Sequence, residues 1–353
     1  AELCKRGADA LGQALALTES TNRYELADFS EYNDIFLLHN SSGKLNGVKE
    51  SIFMENIKDY SGRWRWNMVN DFRPQSIEYS GIKCYPTANY VNYYGMQNGY
   101  PINDMTKADA ESGYDPTHPW KNRDPRFYKT IMFDGVKWKS TGGAGGTAEL
   151  FTGGRESEEA NEKKGCFTAY MNSKLCPQLM NTVDGYKENN IMILNLMRLA
   201  DVYLMYAEAT AVGYNGPKSK AATYSLTAEE ALNKIRERAG VAPVLDKFLG
   251  STADFLSELR RERAVELSFE GFRFIDLRRW MLLTQYPYTL KTKIEFDRAD
   301  PSDYNYDEPE ENAIKNLREV VLLERKYTDR HYWYPLPKKD VSMYEGFYQN
   351  PGW

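Results

Sequence analysis

From about residue 191 onward the chain carries an apolar pattern with the period of an α-helix. In ILNLMRLADVYLMYAEATAVG, residues 193–213, Leu196, Leu199, Tyr203, Tyr206 and Ala207 recur at three- and four-residue steps. That spacing places them along one helical face. Small alanines at the far end allow a second helix to approach closely. The next helix begins at TAEEALNKIRERAG, where Thr227 and Glu230 form a capping box and Gly240 supplies the stop. A third is predicted through STADFLSELRRERAVELSFEGFRFIDLRRW, residues 251–280. Helices in this number and order make the chain mainly α.

The first two helices, antiparallel with a short irregular connector, resemble a tetratricopeptide-type hairpin, whose repeat is about 34 residues. At the other end of the chain, AELCKRGADALGQALAL puts Leu3, Ala10, Ala14 and Leu17 on one helical face. Residues 1–22 therefore read as a helix continuing a helical scaffold that lies before it. Residues 23–190 have a different texture, frequent in Gly, Pro, Asn and Tyr, with short apolar runs such as SIFMENI. They read as a loop-rich region with short strands and hairpins. Within it, Asp134-Gly135 in YKTIMFDGVKWKS marks a tight hairpin, because both residues tolerate positive φ. The Gly-rich, then charged stretch that follows reads as a mobile loop. It lacks the G-x-x-x-x-G-K-[ST] pattern of a phosphate cradle.

Composition narrows the function classes. Of 353 residues, 45 are Lys or Arg and 50 are Asp or Glu, a net charge of −5. Without a general basic field, nucleic acid is not an expected partner. There is no long apolar run to span a membrane. Cys4, Cys84, Cys166 and Cys176 include no C-x-x-C pair, although Cys166 and Cys176 leave a disulfide open. His39, His118 and His331 are isolated, so no metal site and no cofactor is expected. The acidic run DRADPSDYNYDEPEE at 297–311 lacks the fixed glycine and terminal glutamate of an EF-hand and reads as a solvated loop. Glu262 and Glu266 resemble the paired carboxylates of a glycosidase. Four residues apart on one helix, however, they stand side by side, with Arg260, Arg261 and Arg263 around them. Both are expected to stay ionised within a structural Arg–Glu network, and no catalytic residue is assigned.

Five stretches in order carry a family resemblance. They are Arg123-Asp124-Pro125-Arg126-Phe127, MRLADVYLMYAEA at 197–209, IRERAGV at 235–241, RRERAVELSFEGFRFIDLRRW at 260–280, and YPLPKKDV followed by QNPGW at 349–353. Together they resemble the SusD/RagB family of surface nutrient-binding lipoproteins. The fold the resemblance implies is a SusD-like α-α superhelix with tetratricopeptide-like hairpins and a loop-rich insertion. Residues 1–22, 23–190 and 191–353 would then form one continuous domain. The chain resembles the later part of such a protein, with the lipid anchor and first helical units preceding it; Cys4 lacks the apolar segment of a lipobox. The implied function is capture of oligosaccharides, or of peptides in some relatives, at the outer-membrane surface. Delivery would be to a SusC-like TonB-dependent transporter, and no bond would be broken. A tetratricopeptide-like protein adaptor is the alternative, and a glycoside hydrolase the poorest fit.

Sugar binding requires flat aromatic faces and hydrogen-bonding groups at their rim. SGRWRWN, residues 61–67, offers both: Trp64 and Trp66 share one side of an extended strand, with Arg63, Asn67 and Asp71 nearby. The same pattern also fits a strand with one buried face. Tyr90, Tyr93 and Tyr94 form a second candidate cluster on a short helix, with packing into a core as the stronger reading. Tyr79 and Trp138 are weaker candidates.

Overall fold

The computed structural model describes residues 1–38, 47–56, 85–140, 143–159, 165–175, 184 and 191–353. Its helices are α1 (Glu2–Thr21), α2 (Ala88–Val91), α3 (Pro125–Thr130), α4 (Leu199–Gly213), α5 (Ala228–Ala239), α6 (Thr252–Glu266), α7 (Phe272–Arg279) and α8 (Lys338–Met343). The strands are β1 (Leu37–Leu38), β2 (Ser51–Asn56), β3 (Ile131–Met132), β4 (Met171–Asn172), β5 (Ile191–Arg198), β6 (Leu290–Arg298) and β7 (Ile314–Glu324). They form three small antiparallel sheets, ordered β1-β5-β2, β3-β4 and β6-β7. Helices dominate.

One core lies among α1, α4, α5 and α6, around Leu15, Leu204, Tyr206, Leu232, Ile235, Phe255 and Leu259. Helix α4 is buried on nearly all sides because α1, α5 and α6 surround it. The face that α1 buries is Ala8, Gly12 and Leu15, nearly opposite the expected face; Leu3, Ala10, Ala14 and Leu17 are exposed. Gly12 decides this orientation. A Cβ there would lie 2.6 Å from the Thr223 hydroxyl and 2.9 Å from Tyr224 Cβ, so the 223–224 segment seats directly on the helix backbone. Helix α5 begins with the Thr227–Glu230 capping box and ends at Gly240 in the left-handed conformation, as its sequence dictates.

The second core belongs to the loop-rich region. Trp120 stacks on Phe133 with ring centroids 5.0 Å apart, and Phe133 stacks on Phe127 at 5.3 Å. Tyr32, Trp138 and Tyr170 complete it, and Val265 of α6 reaches in from the helical side. Between the two cores runs a buried row of carboxylates, Glu258, Glu262 and Glu266 of α6, continued by Glu270. Arg126 bonds Glu262 and Glu266 while holding Asp124 with two parallel bonds of 3.0 and 2.7 Å. Arg236 bridges Glu258 and Glu262. Arg198 reaches Glu50, Glu266 and Glu270, and Arg238 joins Glu50 to Glu266. Arg263 leaves on the opposite side, toward Asp201 and Asp276. Burial alone would raise the carboxyl pKa of Glu262, but Arg126 and Arg236 outweigh it and bring it down to about 2.

This network moves three boundaries away from the sequence expectation. The helix expected over 193–213 starts only at Leu199, and residues 191–198 are strand β5 instead. Arg198 sits at the switch, fully buried, with its backbone extended so that its fork meets three glutamates. The helix expected over 251–280 breaks after Glu266 and resumes at Phe272, with Phe269 and Gly271 at positive φ. The freed carbonyls of Glu266 and Ser268 accept from the buried Lys174 ammonium at 3.0 and 2.9 Å. The Asp134-Gly135 turn forms, with Gly135 at φ +81°. Its flanks do not pair with each other: β3 pairs with β4, and Lys137 bridges Thr147. The Asp134 carboxylate is instead an anchor, accepting from Arg298, Tyr304 and the Leu150 amide. The Gly-rich stretch expected to be mobile is ordered over 143–159, where Gly146 and Ala148 bond to the 135–138 segment. Cys166 is buried with its thiol pushed up to about 11 by that burial, while Cys176 lies outside the described residues. The 297–311 run, expected to be a solvated loop, begins as the end of β6, with Arg298 buried against Asp134, and continues as a loop fixed by its own Asx turns, Asp300 to Ser302 and Asn305 to Asp307.

Three substitutions test the stability side of this fold. The depressed Glu262 carboxyl contributes about 3 kcal/mol at neutral pH, from the difference between its ordinary value of 4.5 and about 2. Because the folded value is the lower one, that contribution is complete above pH 4.5 and is lost as pH falls toward 2. Glu262→Gln is expected to cost about 3–5 kcal/mol at pH 7, with the gap to the parent narrowing at pH 3. Urea melts at both pH values check this; equal stability at pH 7 would refute it. Trp138 has no exposed surface, so Trp138→Ala should cost about 3–5 kcal/mol. Tyr286→Ala, at a residue 76% exposed, should stay within about 0.5 kcal/mol.

Candidate functional site

The solvent side of α6 forms one wall of a cleft of about 770 Å³. Asn89, Asn92 and Tyr93, at and just beyond α2, line another wall; Arg273 in the first turn of α7 and the segment Tyr286–Tyr288 ahead of β6 complete it. Lys247 and Phe248 stand on the far rim. The walls are tied together by polar bonds. The Asn89 side chain donates to the Leu290 carbonyl at 2.8 Å, and its backbone N–H donates to the Thr292 hydroxyl at 2.9 Å. Arg261 donates to the Gly99 carbonyl at 2.9 Å and to the Tyr93 carbonyl at 3.2 Å while bonding Glu258. The shape of the cleft therefore rests on α6.

Several of the cleft's cations lie over aromatic rings, within the lining or just behind it. The Arg273 guanidinium lies 4.7 Å from the Tyr93 ring centroid and 5.5 Å from that of Tyr288. Arg260 lies over Trp280 at 5.5 Å, and Lys247 over Tyr100 at 4.4 Å. Tyr286 stands at the mouth with most of its ring in solvent. Burial, ahead of the opposing Arg273 charge, raises the Tyr93 phenol above its ordinary value, so it stays a neutral donor and acceptor. Two carboxylates line the cleft. Glu258 is held ionised, because Arg261 and Arg236 outweigh its burial, and Glu319 accepts from the Thr292 hydroxyl at 2.6 Å. Stacking and hydrogen bonding are the chemistry this arrangement offers.

The sequence candidates divide. Tyr93 lines the cleft. Tyr90 stands behind it, its ring against Phe269 at 5.6 Å and its hydroxyl donating to the Ala264 carbonyl at 2.7 Å. Tyr94 points the other way, fully buried, and donates to the Ser268 hydroxyl at 2.7 Å. Tyr94 and Trp138 are thus core residues with no face for a ligand, because both close the aromatic core around Phe127. Trp64, Trp66, Arg63, Asn67, Asp71 and Tyr79 lie outside the described residues. Sequence reading missed Arg273, because it falls within a motif that reads as skeleton, and missed Tyr286 and Tyr288. The Tyr-Pro-Tyr order of 286–288 between two structured segments was the available signal. A second, shallower groove of about 830 Å³ lies between the end of α1 and residues 220–225. Its Glu19 carboxylate already accepts from the Tyr203 and Tyr224 hydroxyls.

No curated protein is similar enough to this chain to match it. Among solved structures, a SusD-like protein from Bacteroides fragilis is 22% identical, with a TM-score of 0.72, and the alignment covers 99% of this chain and 62% of that one. A SusD-like carbohydrate binding protein from Bacteroides fragilis is 20% identical, with a TM-score of 0.61 and coverage of 96% and 60%. A SusD superfamily protein from Parabacteroides distasonis is 18% identical, with a TM-score of 0.53 and coverage of 99% and 58%. The chain thus spans about three fifths of the length of these relatives and shares their helix-rich fold. The SusD family model matches residues 49–353, most of the chain and all of the helical region from α4 onward. The protein belongs to the SusD family.

Proposed function

We propose that this protein binds oligosaccharides without cleaving them, at a bacterial cell surface, and passes them to a SusC-like TonB-dependent transporter in the outer membrane. In this reading the protein is held at the membrane by a lipid anchor. The observation that carries the reading is the cleft, in which Tyr93, Tyr286 and Tyr288 offer flat faces beside the forks of Arg260 and Arg273. Pyranose rings present an apolar C–H face that stacks on such rings and hydroxyls that bond at their rim. Tyrosine does this at low entropic cost, with only two side-chain torsions to fix. Family membership supports the reading, as does the description of one solved relative as carbohydrate-binding. A hydrolytic role finds little support: Glu262 and Glu266, the carboxylate pair of α6, are at most 2% exposed and enclosed by arginines. We include Trp64 and Trp66, with Arg63, Asn67, Asp71 and Tyr79, as a second ligand-touching stretch.

Affinity electrophoresis and titration calorimetry over plant, host and microbial glycans test this directly. One glycan class is expected to bind saturably, with no new reducing ends, and Tyr286→Ala should weaken it about ten-fold while leaving the fold unchanged by circular dichroism. Trp64→Ala or Trp66→Ala should weaken the same glycan. Binding that survives Tyr286→Ala but not the tryptophan changes would move the site away from the cleft. Release of reducing ends, or binding of peptides alone, would overturn the reading.

A further inference from the structure

The cleft has a charge pattern that a neutral sugar does not require. It is lined by four cations, Lys247, Arg260, Arg261 and Arg273, against two carboxylates, Glu258 and Glu319. Glu258 is committed to Arg261 and to the buried Arg236, and Lys247 reaches Glu111 at 3.4 Å, so the lining cations outside these pairs are Arg260 and Arg273. Elsewhere in the molecule most buried arginines are matched with carboxylates, as Arg126, Arg198, Arg236, Arg263 and Arg298 are, while the buried Arg123 donates to the carbonyls of Val91, Tyr94 and Pro119. Among the described residues no carboxylate pairs with Arg273 or Arg260. Arg273 is nonetheless held in place, stacked on the Tyr93 and Tyr288 rings. Beside it, Lys291 is surrounded by like charge; burial first, then Arg325 and Arg273, bring its ammonium down to about 8. This positive site stands in a chain of net charge −5, so it is a local feature and not a consequence of overall composition.

We infer that the ligand of this cleft is an acidic oligosaccharide, its carboxylate or sulfate group received by the Arg273 fork between Tyr93 and Tyr288. A guanidinium presents parallel N–H donors in a plane, which match a carboxylate or sulfate oxygen pair, and stacking on the two rings fixes that plane before the ligand arrives. Arg260 supplies further positive charge on the adjoining wall, and Tyr286 receives the sugar ring at the mouth. The inference rests on the glycan-binding reading of the same cleft and adds the chemical class.

Matched glycan pairs separate the two. Titration calorimetry on the 353-residue chain would compare trigalacturonate with its carboxyl-reduced neutral form, and a κ-carrageenan hexasaccharide with its desulfated form. The expected result is that an acidic member binds at least ten-fold more tightly than its neutral partner and weakens as salt rises. Arg273→Gln should remove that preference, lowering the affinity for the acidic member at least ten-fold more than for its neutral partner, and Arg273→Lys should restore part of it. The pair that responds tells carboxylate from sulfate. Neutral and acidic members binding equally, with Tyr286→Ala still weakening both, would overturn the acidic class and leave glycan binding in place. No binding of any member would overturn both.

Discussion

The fold depends on a row of glutamates that face inward from one helix. Glu258, Glu262 and Glu266 repeat every four residues along α6, and all three are buried. An ionised carboxylate taken out of water is costly unless cations and donors replace the lost solvation. Here the replacements come from the rest of the chain: Arg126 from the loop-rich region, Arg198 from the end of β5, and Arg236 and Arg238 from α5. Each guanidinium reaches its glutamate only if its own element is in place. The network therefore acts less as a reservoir of stability than as a set of positional constraints, and it joins two apolar cores that would otherwise share little contact.

The same helix gives the cleft its wall. While Glu262 and Glu266 face inward, Ser257, Arg260 and Arg261 line the cleft on its other side, with Glu258 between the two. Arg261 belongs to both, bonding Glu258 within and the carbonyls of Tyr93 and Gly99 across the cleft. The break after Glu266 has a related effect. By ending α6 there, the chain turns Phe272–Arg279 in a new direction, which brings Arg273 under the Tyr93 ring. Ionic demands of the interior thus set the position of the groups that meet a ligand.

Much of this was open to a reading of the residues. The α5 caps, the helical character beyond residue 198, the ionised, structural role of Glu262 and Glu266 and the family motifs all depend on local spacing or on residue chemistry, which a linear sequence records. The N-terminal helix was legible as a helix but not in its orientation, since two alternative faces of Ala and Leu compete and the choice falls to the contact at Gly12. The site was less legible. Tyr90, Tyr93 and Tyr94 look equivalent as residues, yet one faces a cleft, one stands behind it and one closes the core.

What the sequence by itself determined was the class of fold, the helix with its own caps, and the need of Glu262 and Glu266 for arginine partners, though not their identity: among the described residues the neighbouring Arg260, Arg261 and Arg263 pair with neither. These follow from interactions within a few residues or from the fact that a buried charge must find a partner. Only the tertiary structure decided where helix gives way to strand at Arg198, where α6 stops, which strand β3 pairs with, and which tyrosine meets solvent. In each case a distant partner outweighs local propensity: Glu50 and Glu270 for Arg198, Lys174 for the carbonyls after α6, Arg298 for Asp134. Helical preference differs among ordinary residues by well under about 1 kcal/mol each, whereas a charged group left buried without its partner costs about 3–5 kcal/mol.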